Sequence, residues 1–198
     1  MTEPVLLIVP GLRDHVAQHW QTLLADRWPQ AHSVMPIGRD NLSLEARIDG
    51  LETSIANLNA PVLLVAHSGG CVLVAHWVQQ TTLADRVVGA LLATPPTFDR
   101  PLPPAYPPLE ALDAAGWLPV PRRRLPFVSL VEASRNDPLG AFDAVCGLAQ
   151  SWGSELIDLG EVGHLNPASG FGPWPMADTL LQRLRAAAAQ TGAGAVRQ

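Results

Sequence analysis

The sequence predicts an α/β fold: a three-layer sandwich with helices on both faces of a mostly parallel sheet of about six strands. Two observations carry this. The runs VLLIV at 5–9, PVLLVAH at 61–67 and RVVGALLAT at 86–94 are continuously apolar, as strands covered on both faces must be. Segments with helical spacing alternate with them, and a right-handed crossover from strand to helix to strand yields parallel pairing. The 198 residues, 47% hydrophobic, suffice for one domain with its own core. We place it at 1–190, followed by a flexible Gly/Ala tail at 191–198.

VLLIV reads as an inner strand. HVAQHWQTLLADRW follows with Val16, Trp20, Leu23 and Leu24 at helical intervals, and Pro29 stops it. HSVMPI at 32–37 is a weak strand. Ser43 then offers an N-cap to LEARIDGLETSIANL, whose Leu44, Ile48, Leu51 and Ile55 mark one apolar face. PVLLVAH is the next strand, CVLVAHWVQQ the helix it feeds, and RVVGALLAT the strand after that. Residues 95–126 hold ten of the 19 prolines and one amphipathic island, LEALDAAGW, so they form one long connection. FVSLVEA and SELIDLG supply two more strands around the helix LGAFDAVCGLAQSW. MADTLLQRLRAAAA is the last helix.

Charge and cysteine usage narrow the function classes. Net charge is −5, and all 13 cations are arginines, clustered only at Arg122, Arg123 and Arg124 within the proline-rich connection. That is a solvated face rather than a phosphate track, so nucleic acid is not an expected partner. Cys71 and Cys146 lie in apolar helical contexts, where a free thiol behaves as a small hydrophobe in a reducing compartment. The N-terminal apolar run is too short for a signal segment or a bilayer span, so the expected location is cytoplasmic, with no membrane partner.

In a parallel sheet, function collects where strands end at their carboxyl side. Ala66-His67-Ser68-Gly69-Gly70 stands there, between a buried strand and a buried helix. It fits the nucleophile-elbow pattern G-x-S-x-G with Ala in place of the first glycine. The glycines make room for a sharp turn that projects the serine hydroxyl from the sheet. Taken alone, the pentapeptide reads as an ordinary strand-to-helix turn capped by serine. A serine hydroxyl also needs a general base, and the base needs a carboxylate. Asp137 lies beyond the end of FVSLVEA, in SRNDPLG, and His164 beyond the end of SELIDLG, in EVGHLNPASG. The order Ser, acid, His is the one this class of sheet uses. Alone, Asp137 reads as a helix cap and His164 as a loop histidine; together they point to a triad.

Other residues compete less well. His67 should point away from the serine by pleat alternation, and His76 lies two turns along the helix. His15 and His19, four apart on a predicted helix, could ligate a metal, yet no carboxylate cluster accompanies them, and no metal or cofactor is expected. Cys71 falls inside the helix, where core packing is its expected role. Trp20, Trp117 and Trp174 either line a pocket or pack.

VPGL after the first strand, QHWQTLL, VAHSGGCVL, SRNDPL and GHLNPASGFGPWP together resemble the small α/β-hydrolases typified by retinoblastoma-binding protein 9 and the bacterial YdeN-like serine hydrolases. The resemblance covers nearly the whole chain and implies a trimmed hydrolase core with no lid domain. It assigns Ser68 as nucleophile, Asp137 as orienting acid and His164 as base, in agreement with the residue-level reading. Pro10-Gly11-Leu12-Arg13 follows the first strand, so the backbone N–H groups of Leu12 and Gly69 are the expected oxyanion donors, each worth about 3 kcal/mol in a transition state. The expected activity is serine hydrolysis of a small-molecule ester or related acyl bond, esterase first and peptidase or thioesterase next. The alternative is a hydrolase-fold binding protein with little turnover, acting on a protein partner that the sequence does not identify.

Overall fold

The computed structural model describes residues 3–195. Six strands, β1 (Val5–Val9), β2 (Ala31–Ser33), β3 (Val62–His67), β4 (Val87–Ala93), β5 (Ser129–Ala133) and β6 (Glu155–Asp158), form one sheet in the order β2-β1-β3-β4-β5-β6. Every pairing is parallel. The helices are α1 (Trp20–Arg27), α2 (Leu44–Ala56), α3 (Gly69–Trp77), α4 (Leu109–Ala114), α5 (Phe142–Trp152) and α6 (Met176–Ala195).

The continuous apolar strands divide their side chains between two cores. Leu7, Val9, Leu64 and Ala66 join residues of α2, α3 and α5. Their neighbours Leu6, Ile8, Leu63 and Val65 face Trp20 and Leu24 of α1 and Leu181 and Leu184 of α6. Period-two alternation thus feeds both faces, which is why no polar residue interrupts these runs.

Several element limits differ from the sequence reading. The first helix begins at Trp20, because His19 is its N-cap: the backbone there is extended and the ring Nδ1 accepts the N–H of Gln21 at 3.2 Å. His15 therefore lies before the helix, and its Nε2 meets the carbonyl of Val34 at 3.1 Å, so the two histidines do not form a helical pair. Among the described residues no group of three or more His, Cys, Asp or Glu side chains could hold a metal ion. β2 covers 31–33 only; it is an edge strand with one neighbour and little burial, and Pro36, lacking an N–H, lies just beyond it. α3 starts at Gly69 rather than Cys71, and α5 at Phe142, four residues past Pro138. α6 continues through 191–195, so that part of the expected tail is helical, while 196–198 lie outside the described residues. No helix among the described residues is long and apolar enough to cross a membrane.

The long connection between β4 and β5 carries one short helix, α4, and just beyond it Trp117, whose indole N–H donates to the carbonyl of Leu42 at 2.7 Å. Trp20 and Trp174 pack edge to face at 4.9 Å within the α1/α6 core. All three tryptophans are thus packing residues, and none lines the main cleft.

Candidate active site

Ser68 sits between β3 and α3 with φ 55 and ψ −130, a strained conformation for a residue with a side chain. Backbone bonds hold it there: its N–H donates to the carbonyl of Ala93 at 2.9 Å, and its carbonyl accepts the N–H of Cys71 at 2.9 Å. The turn is tight because α3 begins against the end of β1. A Cβ at Gly70 would stand 2.4 Å from the carbonyl oxygen of Val9 and 2.8 Å from that of Pro10, both backbone atoms. Glycine there is a demand of close approach. Gly70→Ala should therefore destabilise the protein by about 1–3 kcal/mol, the usual penalty of overpacking, and a thermal melt indistinguishable from wild type would contradict this account.

Asp137 and His164 follow adjacent strands, β5 and β6, and the two loops are stitched together. The N–H of Arg135 donates to the carbonyl of Gly160 at 2.7 Å, that of Val162 to Ser134 Oγ at 3.2 Å, and that of Gly163 to Asn136 Oδ1 at 2.6 Å. Asp137 is fixed further by accepting the Leu139 N–H at 2.8 Å. His164 is held at both backbone ends: its N–H donates to Ser169 Oγ at 3.0 Å and its carbonyl accepts from His67 Nε2 at 2.9 Å.

This brings the three side chains together. His164 Nδ1 lies 3.0 and 2.9 Å from the two oxygens of Asp137, and its Nε2 lies 2.8 Å from Ser68 Oγ. A carboxylate only accepts, so Nδ1 carries the proton and Nε2 presents its lone pair to the serine hydroxyl. The His164–Asp137 contact is buried, with 3% and 2% of the side chains exposed, so water does not compete for it.

His67 does point to the α1 side of the sheet, and it makes no bond to Ser68 Oγ; yet it is no bystander. Its ring lies 4.9 Å from that of His164 and 4.5 Å from that of His19. Burial first, and then the neighbouring His164, holds the pKa of His19 down at about 4 and that of His67 well below the ordinary range. Both rings therefore stay neutral and leave His164 as the member of the row that carries a carboxylate. Sequence reasoning missed this packing, since nothing local to His19 or His67 signals it.

The N–H of Gly69 opens α3, where no intrahelical acceptor exists for it. Leu12 faces it across the turn: a Cβ at Gly69 would lie 3.6 Å from the Leu12 nitrogen, and one at Gly11 would lie 3.4 Å from Ser68 Oγ. Both loops are braced from below. Gln21 Nε2 donates to the carbonyls of Val9 and Val65 at 3.2 and 2.8 Å, tying the ends of β1 and β3. Arg47 Nη2 donates to the carbonyl of Leu12 at 3.2 Å.

A cleft of about 390 Å³ opens above Ser68, lined by Leu12, Phe98, Leu102, Tyr106 and Leu139 among others. The proline-rich connection supplies Pro96, Phe98, Leu102, Ala105, Tyr106 and Pro107, so it builds one wall of the cleft. Every described non-glycine residue with positive φ, namely Asp14, Ser68, Thr94, Phe98 and Leu165, borders the cleft or touches His164 or its neighbour. Backbone strain of this kind gathers around the cleft.

A parallel α/β sheet with a strained serine at a strand-to-helix turn, faced by a buried His–Asp pair, defines an α/β hydrolase. The family profile described as "Serine hydrolase" matches residues 6–183, and the chain belongs to that family. Among solved structures it is similar to a YdeN-like hydrolase from Pectobacterium atrosepticum, at 28% identity and a TM-score of 0.79, over 94% of this chain and 92% of that one. It also shares its fold with the ydeN gene product of B. subtilis (21% identity, TM-score 0.69, 92% and 98% covered) and with a hydrolase from Oleispira antarctica (12%, 0.65, 93% and 92%). No match is found among the curated proteins.

Proposed function

We propose that the protein hydrolyses a carboxylic ester or related acyl bond through an acyl-enzyme on Ser68, with His164 as general base and Asp137 as its orienting acid. The observation that carries this reading is the 2.8 Å contact between His164 Nε2 and Ser68 Oγ, with Asp137 on the opposite ring nitrogen. As Ser68 Oγ attacks the carbonyl carbon, its proton passes to His164 Nε2, and the imidazolium so formed is balanced by Asp137. The carbonyl oxygen becomes an oxyanion between the N–H groups of Leu12 and Gly69. Collapse expels the leaving group, which takes the proton from His164; water, deprotonated by the same nitrogen, then releases the acid and restores the serine. Ester substrates rank first, with amides and thioesters next. The free thiols of Cys71 and Cys146 support a reducing, cytoplasmic setting.

A fluorophosphonate probe tests the nucleophile. Wild type should be labelled at Ser68 and Ser68→Ala not at all; equal labelling of both would remove the assignment. Strong labelling with no turnover of any ester, alongside tight capture of a protein, would favour a binding role on the same fold.

A further inference from the structure

Two residues lining the cleft, Arg13 and Arg39, carry exposed guanidinium groups. They come from separate segments, the loop after β1 and the connection between β2 and α2, and one carboxylate brings them to a common rim. Asp14 Oδ2 accepts the N–H of Gly38 at 2.9 Å, and Arg13 and Arg39 each adjoin one partner in that bond. Asp14 does not neutralise them. Its other oxygen takes Arg47 Nη1 at 2.9 Å in a pair with 6% and 8% of the side chains exposed. It is also the only acid among the cleft-lining residues.

Arg13 is held in place facing the cleft. Its Nη2 donates to the carbonyl of Ala105 at 2.9 Å, and its guanidinium lies 4.8 Å from the centre of the Tyr106 ring, which in turn stands edge-on 6.3 Å from that of His164. Neither Arg13 nor Arg39 makes an ion pair among the described residues. A chain of net charge −5 thus places two uncompensated cations at the mouth of its reacting site.

We propose that the substrate carries an anionic oxygen group, a carboxylate or phosphate, several bonds from the scissile carbonyl, and that Arg13 and Arg39 clamp it while the apolar portion lies along Phe98, Leu102 and Leu139. The inference rests on the hydrolase reading above. Guanidinium forks match planar oxyanions bidentately, and a cleft walled by apolar side chains strengthens the attraction.

Matched ester pairs test it. A monoaryl adipate against the aryl hexanoate puts the charge on the acyl side. 4-Carboxyphenyl acetate against 4-carbamoylphenyl acetate puts it on the leaving group, and 4-acetoxyphenyl phosphate gives the phosphate version. In at least one pair, wild type should favour the anionic ester at least 10-fold in kcat/KM, through KM. The preference should fall within 2-fold in Arg13→Gln/Arg39→Gln, fall partway in Arg39→Gln, and shrink in 0.5 M NaCl. The same compounds, read as competitors of fluorophosphonate labelling, decide the matter if turnover is slow. No anionic preference in any pair, or a preference that survives in the double variant, overturns the inference. Neutral-ester turnover without charge preference leaves the Ser68 assignment standing, whereas labelling that ignores Ser68→Ala removes that assignment instead.

Discussion

His164→Ala and Asp137→Asn are each expected to lower kcat by about 10⁴-fold on any ester the wild type hydrolyses, with KM changed far less. The size follows from the proton path. Without His164, the Ser68 hydroxyl has no acceptor; the 2.8 Å contact to Nε2 is its one side-chain hydrogen bond among the described residues. Asp137→Asn keeps the shape of the acid and reverses the hydrogen-bond logic at Nδ1, since an amide N–H facing that nitrogen favours the tautomer with the proton on Nε2. That tautomer donates to Ser68 Oγ and cannot receive its proton. In the proposed mechanism the three groups act on one step, so Ser68→Ala/His164→Ala should be scarcely slower than either single variant. Steady-state kinetics with active-site titration reads this directly. Losses that multiply across the double variant would mean that Ser68 and His164 act on different steps, and the assignment would fall.

Part of this was legible in the sequence. β1, β3 and β4 announce themselves as unbroken aliphatic runs because both faces of each are covered, and that pattern leaves few alternatives to a parallel sheet. Once strand ends are placed, Ser68, Asp137 and His164 fall at three of them in the expected order. What the chain does not spell out locally is how the three meet. Asp137 and His164 are drawn together by bonds such as Gly163 N–H to Asn136 Oδ1 and by the His67 contact to the His164 carbonyl, and such long-range pairs leave no periodicity to read. The helical spacing places the start of α1 too early for a related reason. Val16 keeps the helical spacing, but His19 uses its own ring to cap the turn, and a histidine cap has no common sequence signature. The Asp14–Arg47 pair, 33 residues apart, was equally invisible, though it braces the loop carrying Leu12.

Glu132 sets the second large expectation: above about pH 5, wild type should lose stability relative to Glu132→Gln by up to about 1.4 kcal/mol for each pH unit. Glu132 lies on β5, fully buried, and neither carboxyl oxygen has a hydrogen-bond partner among the described residues. Burial drives its pKa well above the ordinary 4.5; the backbone N–H groups of Glu132 and Leu92 pull more weakly the other way without reaching hydrogen-bond geometry. In the unfolded chain the carboxyl loses its proton near that ordinary value, while in the folded protein it keeps it. Between the two pKa values the unfolded state binds fewer protons, so unfolding becomes easier as pH rises; below the lower one the contribution is fully present. Glu132→Gln has no proton to lose, so the gap between the two proteins should open from pH 5 upward and close toward pH 4. Cys71, whose thiol is pushed up by burial and then by Glu132, does not ionise in that range and leaves the comparison clean. Urea melts at half-unit intervals from pH 4 to 8 measure the gap. A constant difference would show that Glu132 is already ionised in the fold and has found a partner for its charge.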